Sequence, residues 1–211
     1  LDPKLGKSIN FDSFEPLVKI SMQEKVKRFI YASSSSVYGI KDKSDVNETM
    51  SLEPLTDYSK FKALCEKTLL KYNSENFTTI IIRPATVCGY SPRQRLDVVV
   101  NIFTNLAYHK RKISIFGGNQ LRPNIHIDDM VRAYELLITS SIKKVSGEIF
   151  NAGYHNHTVS ELGNIVKNKI GDDVVLEKID SNDNRSYHIS SEKINKVLGF
   201  NTSKNIGDAV L

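Results

Sequence analysis

A short apolar strand that breaks into serines, followed by a helix opening on a tyrosine and a lysine, constrains this chain more than any other feature. Val26 to Ala32 (VKRFIYA) is β-branched, aromatic and short, as a buried strand should be. Ser33 to Ser36 end it. In an open parallel sheet, ligands lie beyond the carboxyl ends of the strands, so these hydroxyls are expected to face a ligand. Asp57 is expected to cap the next helix. Tyr58, Phe61, Leu64, Cys65, Thr68, Leu69 and Tyr72 recur at helical spacing and predict its buried face.

Tyr58 and Lys62 stand four residues apart, so both project from one face near the helix start. A phenol with a pKa of about 10 is a poor base at neutral pH. An adjacent ammonium favours the phenolate, and a serine opposite can share a hydrogen bond with the same substrate hydroxyl. Such a trio can move a proton on or off a carbinol oxygen while a cofactor moves hydride at the carbon. The spacing alone is weak evidence, because Tyr108 and Lys112 repeat it in a basic stretch that reads as a solvated face. On residue types alone, a serine-rich loop beside an ordinary amphipathic helix stays open.

Taken together, three motifs are more specific: Ser33-Ser34-x-x-Val37-Tyr38-Gly39, then Tyr58-x-x-x-Lys62, then Arg83-Pro84 ending a second strand. This set resembles the extended short-chain dehydrogenase/reductases, and within them the NAD-dependent nucleotide-sugar epimerase/dehydratase family, over nearly the whole chain. The resemblance implies an α/β fold: the C-terminal part of a doubly wound parallel Rossmann sheet with a small α/β substrate domain. It implies Tyr58 as acid/base, Lys62 as the holder of the nicotinamide ribose, and Ser34 as the third member. Pro84 and Ala85 would abut NAD together with Ser34, Tyr58 and Lys62. Ser36 and Thr86 would face the substrate, although many epimerases carry asparagine where Thr86 stands.

Further along, Tyr90 to Arg95 is a loop with two arginines, and Arg95 is a candidate to hold an anion bidentately. Leu121 to Asp129 (LRPNIHIDD) resembles the family's Arg-Asp-Phe/Tyr-x-x-Val-x-Asp segment, with Pro123 and Asn124 replacing the acid and aromatic residue. By that resemblance Arg122 and Arg185 are the candidates for the nucleotide diphosphate. Asp128 or Asp129 is expected to cap a helix from Met130 to Thr139. His126 alternates with isoleucines and reads as packed, not catalytic. His155 and His157 have no third ligand nearby and make a poor metal site.

Other elements follow from pattern. Residues 8–25 read as one helix, Phe77 to Arg83 as a buried strand, and Asp42 to Pro54 as a polar surface loop over the site. Thr158 and Glu161 form a capping box, and Ile206 to Leu211 starts a further helix. No GxGxxG occurs in the 211 residues. The family carries that turn in its first βαβ unit, so the chain is expected to lack this unit. It should then have an open edge at the Val26 strand, be marginally stable alone and bind dinucleotide weakly. The domain reading is 1–90 as a partial NAD-binding Rossmann domain and 91–211 as mainly a nucleotide-sugar-binding domain, with one segment (about 125–155) returning to the first.

Composition excludes several classes. A net charge of +5, spread along the chain without an arginine stripe, argues against nucleic acid. No apolar run is long enough for a membrane, no signal-peptide pattern is present, and Cys65 and Cys88 show no metal or redox spacing. A cytoplasmic protein with reduced thiols is expected. The leading expectation is NAD-dependent epimerisation of a nucleotide sugar at C4 through a 4-keto intermediate, in an enzyme that is a homodimer when intact. Dehydratases of the family carry an Asp-Glu pair directly after the third triad residue; here those positions are Ser35 and Ser36, which disfavours elimination. A ketoreductase, a decarboxylating relative and a non-catalytic nucleotide-sugar-binding fragment stay open, as does NADP.

Overall fold

The computed structural model describes residues 2–41, 43, 45–181 and 186–210. The chain opens with α1 (Pro3–Lys7), a π-helical turn (Ser8–Asp12) and α2 (Phe14–Gln23). The single helix expected over residues 8–25 is therefore two helices joined by a wider turn. It also begins earlier, because the Asp2 carboxylate caps the Lys4 N–H and a proline in the first turn needs no donor. Then comes β1 (Arg28–Ala32), and a 3₁₀ turn (Ser35–Tyr38) capped by the Ser34 hydroxyl. Gly39 closes that turn at φ 69°, where an added Cβ would lie 2.1 Å from the Glu53 carbonyl oxygen.

α3 (Asp57–Leu70) is capped by Thr56, not by Asp57. Thr56 and Ser59 form a reciprocal capping box, which satisfies two amides where Asp57 would satisfy one. The buried face also differs from the predicted stripe: Ser59, Ala63, Cys65, Glu66 and Leu69 are buried, while Tyr58 is half-exposed. Two buried polar residues with hydrogen-bond partners, Ser59 and Glu66, shift the inward face away from what apolar periodicity suggests.

The remaining elements are β2 (Thr78–Pro84), β3 (Thr86–Cys88), α4 (Val99–Lys110), β4 (Lys112–Phe116), β5 (Leu121–His126) and α5 (Ile127–Thr139). They continue with α6 (Ile142–Val145), β6 (Ile149–Ala152), β7 (Asn156–Thr158), α7 (Val159–Ile170), β8 (Val175–Ile179) and α8 (Glu192–Leu198). A short 3₁₀ turn, Ile206–Ala209, stands where a helix was expected. The Thr158–Glu161 capping box is present as expected.

The sheets are predominantly parallel, as the α/β reading requires. β2 lies between β1 and β6, with Ile82 opposite Ala32 on one side and Phe150 on the other. Among the described residues β1 has no second neighbour. β5 pairs in parallel with β3 and antiparallel with β7, while β4 and β8 form a parallel pair. β2 explains its own sequence: Ile80 and Ile82 face a core that includes Tyr38, Ile125 and Phe150. Ile81 faces the opposite core with Phe14, Val18 and Leu69. A strand covered on both faces needs a continuous apolar run. A third core gathers Phe103, Ile113, Leu162 and Val166 around β4, α4 and α7.

Two further expectations are corrected. α5 begins at Ile127 and is capped by His126, whose Nδ1 accepts the Asp128 N–H at 3.1 Å. Asp129 is fully buried and instead accepts N–H groups from Ser203 and Lys204, which ties the end of the chain to α5. The 42–54 stretch is not merely a surface loop over the site, since Val46 enters the main core and the Glu48 carboxylate accepts the Asn151 N–H at 2.6 Å. Asp42 and Ser44 lie outside the described residues. Among those described, no helix is long and apolar enough to cross a membrane.

Candidate active site

A cleft of about 710 Å³ opens at the carboxyl ends of β1 and β2. Ser33, Ser34, Ser35, Ser36 and Thr56 line one wall with hydroxyl-bearing residues. Pro84, Ala85, Thr86 and Val87 line it from the β2–β3 connection. Tyr58, Arg95, Val98, Arg122, Pro123 and Tyr187 complete it. The chain folds this way locally because β1 ends in residues that cap and turn, and β2 ends in a proline that cannot extend the ladder.

The Ser34 and Ser36 hydroxyls lie 2.9 Å apart, and Ser34 Oγ also accepts the Ser36 N–H at 3.2 Å. Burial raises the Tyr58 phenol above its ordinary value. The nearby Ser34 hydroxyl, and then the charge of Arg95, pull it part of the way back. Lys62 Nζ donates to the Ala32 carbonyl at 2.7 Å and lies over the Tyr31 and Tyr58 rings, 4.8 and 5.6 Å from their centroids. Desolvation lowers the Lys62 pKa, opposed by the nearby Cys65 and Glu66.

Of the residues singled out from sequence, Ser34, Ser36, Tyr58, Pro84, Ala85, Thr86, Arg95 and Arg122 all line this cleft. Lys62 stands behind it on the β1 carbonyl. Arg185 lies outside the described residues. Arg122 stacks over the Tyr187 ring at 5.6 Å and donates to its own neighbour's carbonyl, Leu121 O, at 3.0 Å. Arg95 grips Asp97 through two hydrogen bonds of 3.0 and 2.9 Å. The second Tyr-x-x-x-Lys pair is split between α4 and β4, and Lys112 pairs with Glu177. His155 and His157 pack with Tyr154 as an aromatic cluster.

Sequence reasoning missed Thr56, Val87, Val98, Pro123 and Tyr187. A lone tyrosine in a polar segment carries no signal of its own, and only its proximity to Arg122 reveals it. No aspartate or glutamate is among the described residues that line the cleft.

A family model described as the NAD dependent epimerase/dehydratase family matches residues 2–153. The chain belongs to that family. It is 29% identical over 198 residues to dTDP-D-glucose 4,6-dehydratase of Bos taurus, covering 88% of this chain and 54% of that protein. It is 33% identical over 148 residues to the uncharacterized UDP-glucose epimerase YtcB of Bacillus subtilis (strain 168), covering 68% of this chain and 45% of that protein. The chain thus spans about half the length of these curated relatives. Among solved structures it superposes on UDP-glucose 4-epimerase with UDP-glucose from Thermotoga maritima at a TM-score of 0.85 and 26% identity, covering 99% of this chain and 69% of that one. MoeE5 in complex with UDP-glucuronic acid and NAD matches with a TM-score of 0.82 and 25% identity, over 95% and 68% of the two chains.

The residues present fit the nicotinamide end of such a cofactor. Lys62 uses one N–H on Ala32 O and has others to offer a ribose diol. The Ser33 hydroxyl, buried in the cleft wall, has no partner among the described residues and suits a ligand amide or hydroxyl. Pro84 and Ala85 offer an apolar surface for a flat ring.

Proposed function

We propose that this chain carries the catalytic half of a nucleotide-sugar 4-epimerase that uses NAD, through a 4-keto sugar. NAD, when bound, supplies the acceptor and donor of hydride at C4. Tyr58 takes the proton of the C4 hydroxyl and later returns one, while Ser34 holds the same oxygen. Ser36 orients Ser34 through their mutual hydrogen bond. Lys62, anchored on Ala32 O, steadies the ribose side. Arg122 takes the diphosphate, held flat by Tyr187. In this reading, residues 1–90 form the cofactor part and most of 91–211 the nucleotide-sugar part.

The observation that carries the reading is a cleft built from hydroxyls and arginines, with no carboxylate among its described lining residues. Loss of water from C5 and C6 needs a second acid/base pair, which serine and threonine hydroxyls, far too weakly acidic at neutral pH, do not supply. The similarity to dehydratases therefore supports the fold and cofactor more than the elimination. Arg95 adds a second specificity feature. Its charge lowers the Tyr58 pKa while its guanidinium is held by Asp97 at the cleft lining. A substrate carrying a carboxylate on the sugar, as UDP-glucuronic acid does, suits that cation.

The test is incubation with NAD and either UDP-glucose or UDP-glucuronic acid, with products resolved by proton NMR. Inversion at C4, abolished by Tyr58→Phe, is expected. A 4-keto-6-deoxy product would refute the reaction assigned here. Tight sugar-nucleotide binding without turnover would favour a binding role. Apolar side chains exposed along α1, the π-helical turn and α2, among them Leu5, Ile9, Leu17 and Ile20, suit the expected homodimer, which sedimentation would test.

A further inference from the structure

Directly under the cleft runs a buried polar chain that the proposed chemistry does not use. Glu66 lies one helical turn beyond Lys62 and two beyond Tyr58, on the same stripe of α3. Its carboxylate accepts two hydrogen bonds from Arg83, Nε at 2.9 Å and Nη2 at 2.6 Å, and each side chain is only 3% exposed. Arg83 Nη1 donates to the Tyr38 hydroxyl at 2.7 Å. Tyr38 in turn donates to Asn151 Oδ1 at 2.8 Å, and Asn151 donates to the carbonyls of Val46 and Ser190. Arg83 immediately precedes Pro84 and Ala85 in the cleft, and Tyr38 ends the 3₁₀ turn that presents the serines.

A buried ion pair of this kind is weak as a source of stability, because desolvation offsets much of the attraction. What it supplies is geometry. A guanidinium fork on a carboxylate allows one relative orientation, whereas apolar packing tolerates small slides. Three separate elements converge on this one fork: the helix carrying Tyr58 and Lys62, the strand ending at Pro84, and the turn carrying Ser34. An α-helix rises about 1.5 Å per residue, so Tyr58 sits about 12 Å along the axis from Glu66. A tilt of about 5° at Glu66 would move Tyr58 by about 1 Å, enough to cost about a hundredfold in rate.

We infer that Glu66 and Arg83 are positioning residues, whose bidentate pair, extended through Tyr38, sets the distance between the Tyr58 and Ser34 hydroxyls. The inference rests on the roles given above to Tyr58 and Ser34. Burial pushes the Tyr38 hydroxyl up to about 12, so it remains a donor to Asn151 throughout the neutral range and the chain of bonds does not switch.

The test uses Arg83→Lys, which keeps the charge and loses the fork, and Tyr38→Phe, which keeps the ring and removes one link. Tyrosine labelled with ¹³C at Cζ reports the Tyr58 ionisation by NMR, assigned with Tyr58→Phe. In Arg83→Lys the Ser34 hydroxyl should sit less favourably towards Tyr58, so Tyr58 should titrate at higher pH than in the parent. Turnover of the NAD-loaded protein should fall 10- to 100-fold, while KM for the nucleotide sugar changes less than threefold. Tyr38→Phe should shift Tyr58 in the same direction by less, and it serves if Arg83→Lys fails to fold. A lowered melting temperature with Tyr58 titration and kcat unchanged would reduce the pair to ordinary structure and overturn the inference. Full turnover in Tyr58→Phe would instead sink the functional reading itself, and the titration would still report on the geometry.

Discussion

Gly39→Ala offers a clean measure of how tightly the serine turn is held. Gly39 sits at φ 69° and ψ −156°, a basin that side chains avoid at a cost of about 1–3 kcal/mol. Its new Cβ would also lie 2.1 Å from Glu53 O, so Glu53 must move. Moving it endangers the Glu53 N–H bond to Val37 O, now 3.2 Å, worth about 1 kcal/mol. The expected loss is about 3 kcal/mol, or a fall in melting temperature of about 6–12 °C for a chain of this size. Gly199→Ala is the control. Gly199 has φ 73° and ψ 18°, with nothing within 4 Å of an added Cβ. It carries only the left-handed penalty, about 1 kcal/mol after the stiffer unfolded chain is counted. Thermal melts of both variants, followed by circular dichroism, decide the matter. Equal losses at the two positions would refute the steric argument and the rigidity inferred for the turn.

Asp129, held below its ordinary value by the Ser203 and Lys204 amides, Ser203 Oγ and Arg132 against the opposing effect of burial, contributes stability above the unfolded pKa of about 3.9 that is lost as pH falls through its lower folded value. Melts of the parent between pH 2 and 5 should therefore fall more steeply than those of Asp129→Asn, which should itself be less stable at pH 7 by about 2–4 kcal/mol. Ser34→Ala should lower kcat roughly 10- to 100-fold and raise the Tyr58 titration, since the hydroxyl that pulls it down is gone; an unchanged titration curve would contradict that influence. Arg122→Ala should weaken binding of a nucleoside diphosphate by roughly 10- to 100-fold in calorimetry, whereas Arg95→Ala should leave UDP affinity nearly intact and weaken UDP-glucuronic acid relative to UDP-glucose.

Much of this arrangement was legible in the residues. β2 was readable because a strand buried on both faces leaves an unbroken run such as Thr78-Thr79-Ile80-Ile81-Ile82. The cleft walls were readable because hydroxyls and a proline end β1 and β2, and those ends converge at the carboxyl edge of a parallel sheet. The failures share a physical cause. Polar residues that find partners at a distance leave no periodic trace: Glu66 meets Arg83, Asp129 meets Ser203, and Glu48 meets Asn151. Each contact moved a predicted cap, face or loop from its expected place. His126 as a helix cap was hidden for a related reason, because imidazole is an uncommon acceptor at that position. Tyr187 went unmarked beside the Arg185 candidate, because its place in the cleft comes only from folding against Arg122.

The Lys62 ammonium rests on a main-chain carbonyl, that of Ala32. Every amino acid presents the same oxygen there, so substitution at position 32 leaves the acceptor in place. Evolution is then free to vary that side chain without disturbing the lysine, while a shift of the backbone by one residue in the strand would misplace it. In diverging copies of such a protein, position 32 should wander in identity, whereas insertions and deletions between 28 and 34 should be rare.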